Sequence, residues 1–287
     1  ARRRLAARVL LGLFAANAVL AAALSSGACD ELAAHIPCGW LHATTGRLAG
    51  GIQNFPLGQL LIAAPAALAG VDYELWSEEW LFLFRLPVLV LGVLTCWLVY
   101  RLGRDLFGTG AALAALFFAA LCPNLLAHGA LATLDLPAAF FVLLTAHLLH
   151  RQVRKPSAGR MALFALAAAA GALVKVQVLL MYPFAAVVLA VETLRAPRGS
   201  AARRPRMLAA WLFVPAAWLA AVLLAYGHLP GTGGSFLPPL YGETLAGLRV
   251  VLADGSVLDS EDAASVKAFR QSHGALPDTL AELGRQT

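Results

Sequence analysis

The sequence predicts an all-α integral membrane protein of about seven transmembrane helices, with a first outer loop that contains short interfacial helices and a small extracytoplasmic tail. Hydrophobic residues make up 60% of the 287 residues, and charged residues make up only 13%. The mean hydropathy is +0.73. A soluble enzyme of this composition would lack the polar surface to cover its apolar volume, and a disordered chain needs low hydrophobicity and high charge.

Long apolar runs supply the predicted helices; they lie at residues 9–24, 80–100, 109–127, 130–150, 161–192 and 207–226. Several reach the roughly 20 residues that a helix needs to cross the hydrocarbon core. Lys and Arg cluster at residues 2–8, 101–104, 151–160 and 195–206. Because basic residues of short loops stay in the cytoplasm, an even number of crossings separates each pair of clusters. Run 161–192 must therefore cross twice, so we predict a break near Lys175 and Gln177.

The apolar segment 56–71 is predicted to be an interfacial or re-entrant helix. A full crossing there would place Arg101 and Arg104 outside the cytoplasm. The first outer loop then covers about 25–79, and the amino terminus lies in the cytoplasm. The first run is predicted to remain a membrane helix rather than to be cleaved as a signal peptide. The predicted orientation of the later spans requires a first span whose amino terminus lies in the cytoplasm.

The acidic residues support this topology independently. Of the 16 acidic residues, only Asp105 and Glu192 fall on the predicted inner side. The net charge of +6 is explained by the inner loops, so we predict no nucleic-acid partner. Residues 1–226 form the predicted transmembrane module, and residues 227–287 form the tail.

Turn and helix signals also occur in the tail. Asp254-Gly255 lies between two short apolar runs, which is a β-hairpin signal. Residues 260–271 and 277–284 are predicted to form short helices. The tail is therefore either a small outer cap or a disordered segment.

Polar residues suited to chemistry gather at the predicted outer boundary of the membrane. Asp30 and Glu31 directly follow the first span, and His35 lies four residues after Glu31, on the same helical face. Asp135 lies at the outer end of run 130–150, where helix capping beside Pro137 is an alternative role. Charges at this boundary are costly unless they serve a site or face water.

Three basic residues and a histidine complete the predicted site. Lys175 interrupts an apolar run at the predicted break, where it would either extend to the interface or bind an anion together with helix-end backbone donors. Arg85 lies in the outer half of its span, and Arg47 lies in the first outer loop. His128 is the nearest ionisable neighbour of Asp135 in the sequence.

This set of residues suits the transfer of a sugar from a lipid phosphate. The departing lipid phosphate is an anion and needs stabilisation by cations. The attacking hydroxyl or amine needs a carboxylate base within hydrogen-bond reach. A polyprenyl tail needs an apolar groove, which the spans and the helix at 56–71 would provide.

Several motifs resemble those of the polyprenyl-phosphate-sugar-dependent glycosyltransferases of the GT-C fold, in particular the protein O-mannosyltransferases and the aminoarabinose (lipid A) transferases. The matching segments are Asp30 to Gly39, Gln53 to Leu61, Arg85 to Gly108, and Cys122 to Phe141. The family commonly has a double proline where Phe55-Pro56 stand. Most relatives are far longer, so the chain is expected to be either a minimal or a truncated member.

The resemblance implies an inverting transfer on the extracytoplasmic face of the inner (plasma) membrane, from a polyprenyl-phosphate sugar to a lipid, glycan or protein acceptor. Asp30 matches the family's catalytic aspartate, Asp135 its second acidic position, and Lys175 a lysine near the lipid phosphate. We predict catalytic roles for Asp30, Glu31 and Asp135, donor-phosphate binding by Lys175, Arg85 and Arg47, and supporting roles for His35 and His128.

Other interpretations of the same residues stay open. Cys29 and Cys38 flank the acidic pair, but zinc sites prefer more closely paired cysteines, so no metal site is predicted. A Cys29–Cys38 disulfide is an alternative in an oxidising compartment. No cofactor is predicted, and a requirement for a divalent cation is left open.

Two other classes of protein compete with an enzyme. A transporter or channel is expected to show repeated halves with matching broken helices, and the sequence shows no such repeat. A membrane subunit without chemistry is the third class. Sugar transfer from a polyprenyl-phosphate donor separates the three classes.

Overall fold

The structure is a computed structural model, and it describes residues 2–45, 56–71, 80–195, 216, 249–251, 257–259, 264, 267–268 and 271. The chain divides into two units, Ala1–Ser235 and Phe236–Thr287. The described helices of the first unit are α1 (Arg2–Leu24), a π-helical turn (Glu31–His35), α2 (Ile36–Thr45), α3 (Pro56–Leu68), α4 (Leu81–Phe107), α5 (Thr109–Ala120), α6 (Pro123–Gly129), α7 (Asp135–Arg154), α8 (Ala158–Val174), a 3-10 turn (Val176–Leu180) and α9 (Met181–Arg195).

Three of the described helices, α1, α4 and α7, are long and apolar enough to cross a membrane. Helices α5 and α6 meet at a bend of 61° and add a fourth span if they are counted as one. The bend lies at Cys122, whose backbone is extended. Cys122 precedes Pro123, and helical geometry is disfavoured for the residue before a proline. The predicted seven spans are not reached within the described residues, and apart from Ala216 the run 207–226 lies outside them.

The predicted short helix at 56–71 is present as α3, which has 13 residues. A helix of that length is only about 20 Å long, which is too short to cross the hydrocarbon core. It packs between α2 and α4 and also contacts α8. Beyond its end Gly70 takes a positive φ of 69°, a conformation that glycine adopts without a steric penalty.

The predicted break in run 161–192 is confirmed. Helix α8 ends at Val174, Lys175 is extended with φ −152° and ψ 134°, and a 3-10 turn leads into α9. The N–H of Lys175 still donates to the carbonyl of Gly171, at 3.1 Å. Gly171 also lets α8 approach α7, since a Cβ atom there would lie 2.8 Å from Phe141 and from Val178.

The first core cluster forms where α1 packs against α4, α5 and α6. Phe14 of α1 is fully buried at its centre. Added Cβ atoms at Gly92 and Gly129 would lie 3.0 and 3.3 Å from its ring. Small residues at helix crossings permit this close approach, as is usual for helices packed in membranes.

The second unit contains a described pair of strands, β1 (Arg249–Val251) and β2 (Val257–Asp259). They pair antiparallel, with Val250 opposite Leu258. The antiparallel pairing expected on either side of Asp254-Gly255 is therefore present, whereas the predicted turn itself lies outside the described residues. The tail is not wholly helical. Most of the predicted helices at 260–271 and 277–284 lie outside the described residues.

Candidate functional site

One end of the helix bundle brings together the end of α1, the starts of α4 and α7, and the break between α8 and α9. Arg85, in the second turn of α4, bonds to the carbonyls of Ala22 and Ser25 at the end of α1. Asp135, the first residue of α7, bonds to Lys175 at the break. These contacts place segments that are far apart in the sequence at one site.

Arg85 and Glu31 form a fully buried ion pair. The Nε and Nη2 atoms of Arg85 lie 2.8 and 2.7 Å from the two carboxylate oxygens of Glu31. The remaining N–H groups of Arg85 donate to the carbonyls of Ala22, Ser25 and Ser26 and to the Ser25 hydroxyl. The protein itself therefore supplies acceptors for the whole guanidinium group.

Glu31 accepts two further hydrogen bonds, from the backbone N–H groups of Ala28 at 2.9 Å and Ala132 at 2.5 Å. Burial acts to raise the pKa of the Glu31 carboxyl, but the hydrogen bonds from Arg85 and the backbone outweigh burial and hold its pKa below 4.5. Glu31 is thus ionised at neutral pH. It joins the first outer segment to α4 and to the segment before α7.

Predicted direct roles for Glu31 in catalysis and for Arg85 in phosphate binding are not favoured by this geometry. Both side chains are fully buried, and both are occupied with one another and with the backbone. The arrangement favours a positioning role, in which the pair fixes the loop that carries Asp30 against α4. Arg47, the third predicted phosphate ligand, lies outside the described residues.

Asp135 bridges two basic side chains. Its Oδ1 atom lies 2.5 Å from Lys175 Nζ, and its Oδ2 atom lies 3.7 Å from His128 Nδ1. The side chain of Asp135 is 49% exposed, and that of Lys175 is 23% exposed. Leu134, not Asp135, is the residue before the helix, so the capping role considered for Asp135 is wrong, although a carboxylate in a first helical turn is favoured by the helix dipole.

His35 lies among the charged groups of the site. The charges of Asp30, Lys175 and Asp135 all act on its ring. Burial lowers the pKa of His35 below 6.5, and Lys175 lowers it further, whereas the carboxylates oppose this change. Its buried Nδ1 atom has no hydrogen-bond partner among the residues that the structure describes. His35 is therefore a neutral imidazole at neutral pH, with one ring nitrogen uncommitted.

The predicted site residues thus fall into two groups. Asp135 contacts Lys175 and lies close to His128. His35 lies within electrostatic range of Asp135 and Lys175, and Asp30 lies within electrostatic range of His35. Asp30 is exposed, so its carboxylate is open to a substrate. Glu31 and Arg85 lie beneath this surface as a buried pair.

Two glycines of the matching motifs position the site through close helix packing, a role that the sequence alone did not predict. A Cβ atom at Gly58 of α3 would lie 2.6 Å from Leu134 and 3.1 Å from Val174, the residues that precede Asp135 and Lys175. A Cβ atom at Gly39 of α2 would overlap the backbone of α3 at Gln59. Helix α3 therefore packs directly behind the two segments that form the Asp135–Lys175 ion pair.

The residues do not form an evident metal centre. Within residues 2–45, 56–71, 80–195 and the described parts of the tail, no group of three His, Cys, Asp or Glu side chains is arranged to hold a metal ion. Cys29 and Cys38 are free thiols. The alternative disulfide between them is thus not formed in this structure.

A family model described as dolichyl-phosphate-mannose-protein mannosyltransferase matches residues 56–225, which is more than half of the chain. The matched region contains Arg85, His128, Asp135 and Lys175. The segment that carries Asp30, Glu31 and His35 precedes it. No curated protein matches the chain.

Proposed function

Because this chain belongs to the dolichyl-phosphate-mannose-protein mannosyltransferase family, we propose that it transfers a sugar from a polyprenyl-phosphate donor to an acceptor at the extracytoplasmic face of the inner membrane. The resemblance seen in the motifs is confirmed at the level of the family. A membrane glycosyltransferase with a polyprenyl-phosphate sugar donor is what the family implies. The residue roles, the inverting course and the orientation are our proposals.

The observation that supports this proposal most strongly is the ion pair between Asp135 and Lys175. His35 lies within electrostatic range of both charges, and Asp30 lies within electrostatic range of His35. This arrangement combines a partly exposed cation with exposed carboxylates at one end of the bundle. A lipid phosphate that leaves as an anion needs the cation, and an acceptor that loses a proton needs a carboxylate. Helix α3, which is apolar and too short to span, lies beside this site and suits the polyprenyl chain.

Asp30 is the proposed general base. Its carboxylate accepts the proton of the acceptor hydroxyl as the acceptor oxygen attacks the anomeric carbon of the donor sugar. The bond between that carbon and the phosphate oxygen breaks, and the bonding electrons leave with the polyprenyl phosphate. A single displacement of this kind inverts the configuration at the anomeric carbon.

Lys175 is the proposed cation for the donor phosphate, and it is already paired with Asp135. The donor phosphate must therefore share Lys175 with Asp135 or displace Asp135 from it. In the second case Asp135 remains near His128, whose Nδ1 atom lies 3.7 Å away. Neutral His35 can then form a hydrogen bond with a hydroxyl group of the sugar or of the acceptor through its ring nitrogen that has no partner among the described residues.

The test is sugar transfer in reconstituted membranes from a polyprenyl-phosphate donor, with Asp30→Asn as the critical variant. We expect kcat to fall by about 10²- to 10⁴-fold, the usual contribution of a positioned base, with little change in donor binding. Asp105→Asn, at the opposite end of α4, is the matched control and should retain activity. Unchanged turnover in Asp30→Asn would remove the proposed base, and solute transport without sugar transfer would favour a transporter.

A further inference from the structure

A second polar region lies at the other end of α7. Helix α7 runs for 20 residues from Asp135 to Arg154, so its two ends are about 30 Å apart, the thickness of a hydrocarbon core. A cavity of about 580 Å³ opens at this end and is lined by His150, Val153, Arg154, Lys155 and Glu192. It shares no lining residue with the candidate site.

The cavity is basic. Arg154 and Lys155 are exposed cations in its wall, and Glu192 contributes one carboxylate. The two cations and the one carboxylate sum to one net positive charge. A phosphodiester group carries one negative charge and matches this net charge, and the guanidinium of Arg154 is suited to bind two of its oxygens.

A buried nitrogen atom of the cavity wall also lacks a partner. The Nε2 atom of His150, which lines the cavity, is buried and has no hydrogen-bond partner among the described residues. Buried polar atoms normally have a partner, so this nitrogen indicates a ligand that supplies a hydrogen-bonding oxygen.

An apolar stripe leads along α9 to this cavity. Phe184, Val187, Val191 and Leu194 are all exposed and follow one another at intervals of three or four residues, which places them on one face of the helix. Its last two residues, Val191 and Leu194, flank Glu192 in the sequence, and Glu192 lines the cavity. A ligand with an apolar chain joined to a phosphate would cover both surfaces, whereas free phosphate would use only the cavity.

We propose that the cavity formed by the ends of α7 and α9 binds the headgroup phosphate of an anionic phospholipid, whose acyl chain lies along the exposed stripe of α9. Arg154 and Lys155 pair with the phosphate, and His150 contributes a hydrogen bond. This site is separate from the candidate catalytic site and does not depend on the proposed sugar transfer. Its ligand is a constituent of the membrane, and its binding would stabilise the packing of α7 against α9.

The test measures lipid binding to the full chain in detergent by native mass spectrometry. The probes are dioleoylphosphatidylglycerol, dioleoylphosphatidylcholine and inorganic phosphate. We expect the anionic lipid to bind more tightly than the zwitterionic lipid, and the double variant Arg154→Gln/Lys155→Gln to lose about 30-fold in affinity for it, as about 1 kcal/mol per basic residue implies. Arg3→Gln/Arg4→Gln, which removes the same charge from the start of α1, is the control and should retain the preference.

A second variant separates a loss of lipid binding from a loss of folding. Glu192→Gln removes the one carboxylate of the cavity and should raise the affinity for phosphatidylglycerol several-fold, a gain that a damaged protein would not show. An equal loss in the α1 control, or an unchanged preference in the Arg154/Lys155 variant, would overturn the proposal. Displacement of the lipid by an equal concentration of inorganic phosphate would show that the cavity binds free phosphate instead of a lipid.

Discussion

Replacing Glu31 by Gln tests whether the buried pair holds the site together. Each carboxylate oxygen accepts two hydrogen bonds: Oε1 from Arg85 Nε and Ala132 N, and Oε2 from Arg85 Nη2 and Ala28 N. Glutamine has almost the same shape, but its amide nitrogen cannot accept a hydrogen bond. In either orientation of the amide, that nitrogen faces two donors, so two of the four hydrogen bonds are lost.

The expected loss of stability follows from these contacts. A buried donor without an acceptor costs about 1–3 kcal/mol, and Glu31→Gln creates two of them while it leaves Arg85 as an unpaired buried charge. Breaking a buried pair by removing one partner typically costs about 3–5 kcal/mol. We therefore expect a loss of about 4 kcal/mol, which corresponds to a melting temperature lower by roughly 10 °C.

Thermal unfolding of the purified protein in detergent measures this loss. Asp105→Asn is the matched control, because Asp105 pairs with Arg104 at 3.9 Å and both side chains are partly exposed; surface pairs contribute at most about 1 kcal/mol. The double variant Glu31→Gln/Arg85→Met removes the unpaired charge and should be more stable than the sum of the single changes implies. Equal effects of Glu31→Gln and Asp105→Asn, or additive single changes, would refute the reasoning.

Three further predictions concern the site. Asp135→Asn should tighten the binding of polyprenyl phosphate a few-fold, because the Asp135 carboxylate no longer competes with the phosphate for Lys175 and such a pair contributes up to about 1 kcal/mol. Weaker binding of polyprenyl phosphate in an equilibrium assay would show that Asp135 does not compete with it. Gly58→Ala should cost about 1–3 kcal/mol by overpacking and lower sugar transfer, whereas Gly110→Ala, where nothing lies within 4 Å, should be harmless in both assays. Burial lowers the pKa of His35 in the folded protein below 6.5, so the unfolded chain takes up the proton first as the pH falls. The free energy of unfolding should therefore be highest above about pH 6.5 and decline below it. His35→Gln should reduce this pH dependence, measured as the free energy of unfolding between pH 5 and 7.5.

Local patterns in the sequence were sufficient to predict several elements. The break at Lys175 followed from the positions of basic residues on either side of one long apolar run. The short helix α3 followed from the same count of crossings, and the pairing of β1 with β2 followed from the Asp254-Gly255 signal between two apolar runs. These features depend on residues that are close in the sequence or on the side of the membrane that basic residues prefer, so they need no knowledge of packing.

Contacts between distant segments were not predictable in this way. Glu31 and Arg85 are 54 residues apart, and their pairing depends on which helices pack together. A signal was present, since an acid and a base each lay near or within an apolar segment, where a charge usually needs a partner. The role of Gly58 could not be inferred, because its importance lies in the lack of a side chain facing Leu134 and Val174.

The buried pair also constrains how the chain can be made. Arg85 enters the bilayer in the second turn of α4, and an arginine near a helix end costs less during insertion than the about 2.5–3.5 kcal/mol of one at the helix centre. Its partner is synthesised 54 residues earlier, on the segment that directly follows α1. We expect α1 to remain beside the insertion machinery until α4 emerges, so that the two helices leave it together and the charge of Arg85 is neutralised before it meets lipid.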